Sequence, residues 1–167
     1  MTDPTPPLPE VEFNPELQHI VCAVRGIPES FKTVETAIGM ASNQAARLTF
    51  LLIVNVEFMG DATPVLGSYK TVERQLVSLG EFTLLSLCDE AQRSGVARCS
   101  GVVRLGDFRQ QLRTYLNETH ADALVISRLP PKETGEKLPT RDFESFIAEL
   151  EKNLQIEVMV VEVIEES

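Results

Sequence analysis

This sequence lacks most of the features that would announce a chemistry. No apolar run is as long as a membrane span, and the first residues carry no basic segment followed by a greasy one, so neither a spanning helix nor a secretion signal is expected. Cations are in deficit: 15 Lys and Arg against 25 Asp and Glu give a net charge of −10 and a pI near 4.7. Such a balance argues against non-specific binding to nucleic acid or anionic lipid, because counterion release needs clustered cations.

Cysteine is scarce. Cys22, Cys88 and Cys99 form no C-x-x-C pair and are odd in number, so they are read as small core side chains of a protein in a reducing cytoplasm. The two histidines, His19 and His120, stand far apart with no ligand pattern around them, which leaves no metal site. His120 falls at a predicted helix end, where a partly cationic imidazole suits the dipole. There is no G-x-x-x-x-G-K-S/T phosphate loop, no G-x-G-x-x-G after the first strand and no G-x-S-x-G elbow. The carboxylate groups Asp89-Glu90, Glu149-Glu151 and Glu162-Glu165-Glu166 read as a solvated acidic face, since acid–base pairs need burial to shift their titration. The chain is expected not to be an enzyme and to hold no cofactor.

What is present is alternation. At 167 residues and 43% apolar content the chain suits one domain with a sizeable core. Residues 1–17 read as a flexible leader crowded with Pro4, Pro6, Pro7, Pro9 and Pro15, in which Pro6-Pro7-Leu8-Pro9 has the makings of a polyproline ligand. Residues 18–164 read as a single α/β domain and 165–167 as an acidic tail. Ile20–Val24, Phe50–Val56, Cys99–Leu105, Ala123–Ser127 and Ile156–Ile164 are apolar runs expected for strands buried on both faces. Between them lie helical patterns. The first begins near Ser30 or Thr33 and carries Phe31, Val34, Ala37, Ile38, Ala41, Ala45 and Leu48 at three- and four-residue steps. The second, with Ser68 as a plausible N-cap, places Tyr69, Val72, Leu76, Leu79, Thr83, Leu87 and Ala91 on one face and ends at Gly95 as at a left-handed cap. Asp107 caps the third, with Gln110 three residues on, and Thr140 caps the last, striped by Phe143, Phe146, Ile147, Leu150 and Leu154. The pattern predicts a five-stranded, open, mostly parallel doubly wound sheet with helices on both faces, Rossmann-like in class.

Ligands of such sheets sit beyond the carboxyl ends of the strands, where the winding reverses. If the first and fourth strands are neighbours, that crevice is walled by Arg25, Gly26 and Ile27 and by Ser127, Arg128 and the segment to Pro139, with Asn55 and Val56 beside it. Arg25, Arg128 and Lys132 make this mouth locally positive and open to an anionic ligand. The competing reading is that these long side chains are solvated or paired with Glu57 or Glu133.

Three segments carry a resemblance: His19-Ile-Val-Cys-Ala-Val-Arg-Gly26, Val102-Val-Arg-Leu-Gly-Asp107 and Ala121-Asp-Ala-Leu-Val-Ile-Ser127. In order and spacing they resemble the universal stress protein family, with its valine-x-x-glycine turn and its A-D-L-I-V-M-G strand. The likeness runs from about His19 to Val163. It implies a five-stranded parallel sheet, usually dimeric, with the last strand at the dimer contact. One branch of that family binds ATP through an aspartate at the end of the first strand and a G-x-x-G-x9-G-S/T motif after the fourth. Here Arg25 stands at the first position, and Ser127-Arg-Leu-Pro-Pro-Lys-Glu-Thr-Gly135 replaces the second. A phosphate cradle needs converging backbone donors, and Pro130 and Pro131 have none. The resemblance thus implies a cytoplasmic, non-enzymatic stress-response domain that acts through homodimerisation and contacts with other proteins, without ATP. The alternative is a small-molecule sensor that takes a nucleotide or other anionic metabolite between the first and fourth strands. A detached regulatory domain of a larger complex is a third reading.

Overall fold

In a computed structural model the described residues are 17–25, 31–55, 69–128 and 140–162. They form nine elements in strict alternation: β1 (His19–Val24), α1 (Phe31–Gln44), β2 (Arg47–Val54), α2 (Tyr69–Arg93), β3 (Cys99–Leu105), α3 (Phe108–Thr119), β4 (Ala123–Arg128), α4 (Thr140–Leu154) and β5 (Glu157–Glu162). The five strands make one sheet in the order β3-β2-β1-β4-β5, parallel throughout. The first and fourth strands are neighbours, and the winding reverses between them. Residues 1–16 of the predicted leader, the segments 56–68 and 129–139 and the acidic tail lie outside the described residues, while Leu17, the last residue assigned to the leader, is buried in the core.

Period-two alternation sends each strand's side chains to two separate cores. Ile20, Cys22, Leu48, Phe50 and Val125 meet α1 and α2 through Val34, Ala37, Ala41, Leu84 and Ala91. Val21, Ala23, Leu51, Leu124 and Ile126 meet α3 and α4 through Leu112, Leu116, Phe146 and Leu150. Burial on both faces explains why β1 and β4 read as continuous apolar runs.

All four helices stop at a residue in the left-handed region: Ala45, Gly95, His120 and Gln155. Only one of these is glycine, and the other three adopt a conformation that costs a side chain about 1 kcal/mol. Ala45 corrects the sequence reading. The helical stripe extends there through Ala45 to Leu48, but the chain turns at Ala45 and β2 begins at Arg47, so Leu48 is a fully buried strand residue. A second correction concerns α2. Its inward face is Gly80, Leu84, Cys88 and Ala91 with Leu87 packed alongside, so the expected Leu87 and Ala91 hold, whereas Leu79 is 64% exposed. Close approach selects that face: a Cβ at Gly80 would lie 2.8 Å from Leu52 Cδ2, and one at Gly101 of β3 would lie 2.5 Å from Leu84 Cβ. Two glycines, one on each element, let α2 sit directly on the sheet.

The cysteines are core residues, as expected. Cys22 is wholly buried, and burial pushes its thiol up to about 12. Cys99 donates to the Cys88 sulfur at 3.2 Å, and burial, then the Cys88 contact, raises its thiol too. Thiolate is the reactive form. Labelling of Cys22 by an aromatic disulfide reagent at pH 8 should therefore track unfolding in urea; full labelling in native buffer within the dead time would contradict its placement.

Candidate functional site

The crevice at the carboxyl ends of β1 and β4 is where the sequence places a ligand. Arg25 leaves the end of β1, and Ser127 and Arg128 close β4. Alternation places Arg25 and Arg128 on the α3/α4 side, in step with Ala23 and Ile126, and Ser127 on the α1 side, in step with Val125. Gly26, Val56 and Lys132 lie outside the described residues.

Both arginines are engaged with aromatic rings. The Arg25 guanidinium carbon lies 4.5 Å from the centre of the Phe108 ring, at the first turn of α3. That of Arg128 lies 5.6 Å from the Phe143 ring of α4, and its Nη1 is 3.4 Å from Glu144 Oε1. This carboxylate belongs to α4; Glu57 and Glu133, the partners considered from sequence, lie outside the described residues. A pair this exposed is worth at most about 1 kcal/mol; the ring contact and the buried stem hold the side chain in place.

Two polar atoms near this mouth are buried with no hydrogen-bond partner among the described residues: Arg128 Nε and Thr33 Oγ1, the latter in the first turn of α1. Ser127 is likewise buried. Beside them Asp107 takes the role expected of it, its Oδ2 accepting from Gln110 N at 3.0 Å as the N-cap of α3. Its carboxylate already satisfies the helix start, so that terminus does not invite an anion.

Sequence reasoning missed the opposite pole. At the amino ends of the strands, Asp122 Oδ2 accepts from the backbone N–H groups of Gln18 and His19, each at 2.9 Å. The His19 ring bridges Arg47 Nη2 at 3.0 Å and Thr49 Oγ1 at 2.8 Å, and Thr49 reaches Ser100 Oγ at 3.3 Å. Asp122 was visible within the Ala121–Ser127 motif, but its partners come from a strand about a hundred residues away, and no local spacing reveals them.

Among the described residues no helix is long and apolar enough to cross a membrane, and no group of three His, Cys, Asp or Glu side chains is placed to hold a metal ion.

No protein-family model matches the chain, and no curated protein matches it significantly in sequence. Solved structures do match. A universal stress protein UspA from Lactobacillus plantarum superposes with a TM-score of 0.66 at 11% identity, covering 87% of this chain and 97% of that one. A universal stress protein in complex with cAMP gives 0.58 at 17% identity, over 89% and 98%. One from Archaeoglobus fulgidus in complex with dAMP gives 0.52 at 15%, over 86% and 96%. With identities this low the likeness speaks for architecture: the chain has the universal stress protein fold, a five-stranded parallel sheet flanked by four helices.

Proposed function

We propose that the chain is a non-enzymatic, cytoplasmic domain of stress-protein type that works as a homodimer and through contacts with other proteins, without binding ATP in that family's manner. The observation that carries this reading is the free edge of β5. Beyond β5 the sheet has no further strand among the described residues, and Met159 is 40% exposed on it. An apolar edge of this kind is a template for pairing, and a two-fold axis beside β5 would join two sheets through identical surfaces. The absence of family-type ATP binding is supported by Arg25, whose guanidinium stacks on Phe108 where a carboxylate would be needed for a ribose hydroxyl.

Val160, the next residue along β5, packs against the α3/α4 core, so a lysine there would damage the fold itself. Met159→Lys is the cleaner variant. Light scattering should show the wild type as a dimer and Met159→Lys shifted to monomer with an unchanged circular dichroism spectrum. Calorimetry with ATP should show no heat; saturable heat would sink the nucleotide part of the reading.

The buried, unpartnered Arg128 Nε and Thr33 Oγ1 favour a second reading: a small nucleotide or other anionic metabolite sensed at the β1/β4 crevice by Arg25, Ser127 and Arg128, with Gly26, Val56 and Lys132 from the adjoining segments. Two structural neighbours are described as complexes with cAMP and dAMP. Calorimetry against AMP, ATP and cyclic AMP decides it, with binding lost in an Arg25→Ala/Arg128→Ala double variant.

A further inference from the structure

A cleft of about 290 Å³ opens at the amino ends of the strands, on the far side of the sheet from the β1/β4 crevice, with Arg47, Arg98, His120 and Asp122 on its walls. Strands of six to eight residues separate the two mouths by about 20 Å. We propose that this cleft is a second binding site, for the phosphate group of a small soluble molecule.

The charge on the cleft walls is the first reason. The protein as a whole carries −10, yet here two guanidinium groups face one carboxylate. Oδ2 of that carboxylate, Asp122, is already occupied by two backbone N–H groups. The Arg98 side chain is exposed and makes no ion pair or hydrogen bond among the described residues. A cation left unpaired in a concavity of an acidic protein marks a place for an anion.

Preorganisation is the second reason. A guanidinium only donates, so the 3.0 Å contact from Arg47 Nη2 requires a bare Nδ1 on His19. The imidazole is then neutral, with its Nε2–H donating to Thr49. Burial, and next the Arg47 charge, lower the His19 titration below its usual range, in keeping with that state. A buried neutral histidine is used here to aim an arginine, which keeps four N–H groups uncommitted to this bond.

Backbone occupancy defines the chemistry. The N–H groups of Gln18 and His19 go to Asp122, that of Arg47 to Gln18 O, that of Asp122 to His19 O and that of His120 to Asn117 O. With these N–H groups committed within the fold, recognition rests on the side-chain cations. Two guanidinium forks suit the oxygens of a phosphate, which they bind in paired, parallel bonds. His120 adds an imidazole at the rim. It occupies the left-handed cap of α3 at φ 51, a position that glycine would fill without strain.

The test is thermal unfolding and calorimetry of the full chain with inorganic phosphate and with glycerol phosphate, at matched ionic strength against chloride. Both probes should stabilise the wild type, and Arg98→Ala should weaken binding about tenfold while leaving the unliganded melting temperature unchanged, because only the backbone of Arg98, through its carbonyl to Leu48 N, takes part in the fold. The Arg25→Ala/Arg128→Ala variant should bind both probes as the wild type does. Equal responses to the two probes confine recognition to the phosphoryl group; a stronger response to glycerol phosphate extends it to phosphorylated metabolites. Absence of any shift with millimolar probe overturns the proposal. So does binding that survives both Arg98→Ala and Arg47→Ala, or that vanishes only in the Arg25/Arg128 variant.

Discussion

Replacing Asp122 by alanine should lower the unfolding free energy by about 2–3 kcal/mol, although the residue is polar and only half-buried. Its Oδ2 receives the N–H groups of Gln18 and His19 at 2.9 Å each, and its own N–H donates to His19 O. One residue at the start of β4 thus pins the start of β1, the pair of strands at the centre of the sheet. Without the carboxylate, the buried N–H of His19 loses its acceptor, and the ring it carries loses the anchor of its backbone. Asp122→Asn keeps one side-chain carbonyl oxygen and should lose about half as much. Urea denaturation monitored by circular dichroism gives the difference; an Asp122→Ala variant within 0.5 kcal/mol of wild type (roughly the noise of surface substitutions) would mean that the clamp does not hold the strands together.

Leu124→Ala should cost more, about 3–4 kcal/mol, lowering the melting temperature by roughly 10 °C. Leu124 is wholly buried and sits on β4 between β1 and β5, facing the α3/α4 core. The surrounding strands are fixed by hydrogen bonds on both sides and cannot collapse onto the space left behind. Leu85→Ala is the matched control. The same chemical change on the outer face of α2, where Leu85 is 69% exposed, should stay within about 0.5 kcal/mol. Equal costs at the two positions would contradict the assignment of α2's inward face.

That face shows where sequence patterns run out. The stripe expected on α2 and its observed inward face share Leu87 and Ala91 but part at Leu79, which is exposed, and at Leu84 and Cys88, which are buried. Periodicity alone cannot choose between them. The sheet chooses, because only the stripe containing Gly80 allows the approach that Leu52 and Val103 demand. The first helix has a similar history. Ala45 and Leu48 continue its period, and nothing local signals that Ala45 will turn into the left-handed region. By contrast, strands buried on both faces, the Asp107 cap and the Gly95 terminator were legible, since each depends on chemistry within a few residues.

The candidate sites divide in the same way. Topology rules alone led to Arg25 and Arg128, and the neighbouring β1 and β4 bring both to one side of the crevice. Their ring partners, Phe108 and Phe143, required the packing of α3 and α4. The amino-end cluster was out of reach. Its members lie at positions 19, 47, 98, 120 and 122, and only the parallel register that sets His19 beside Arg47 brings them into one place.

Static light scattering of the wild-type chain at high micromolar concentration, with and without ATP, tests the central claim most directly. The predicted result is twice the 18.5 kDa chain mass in both conditions, falling to one chain mass for Met159→Lys. A wild-type monomer at that concentration, or a dimer that forms only when ATP is added, would contradict it.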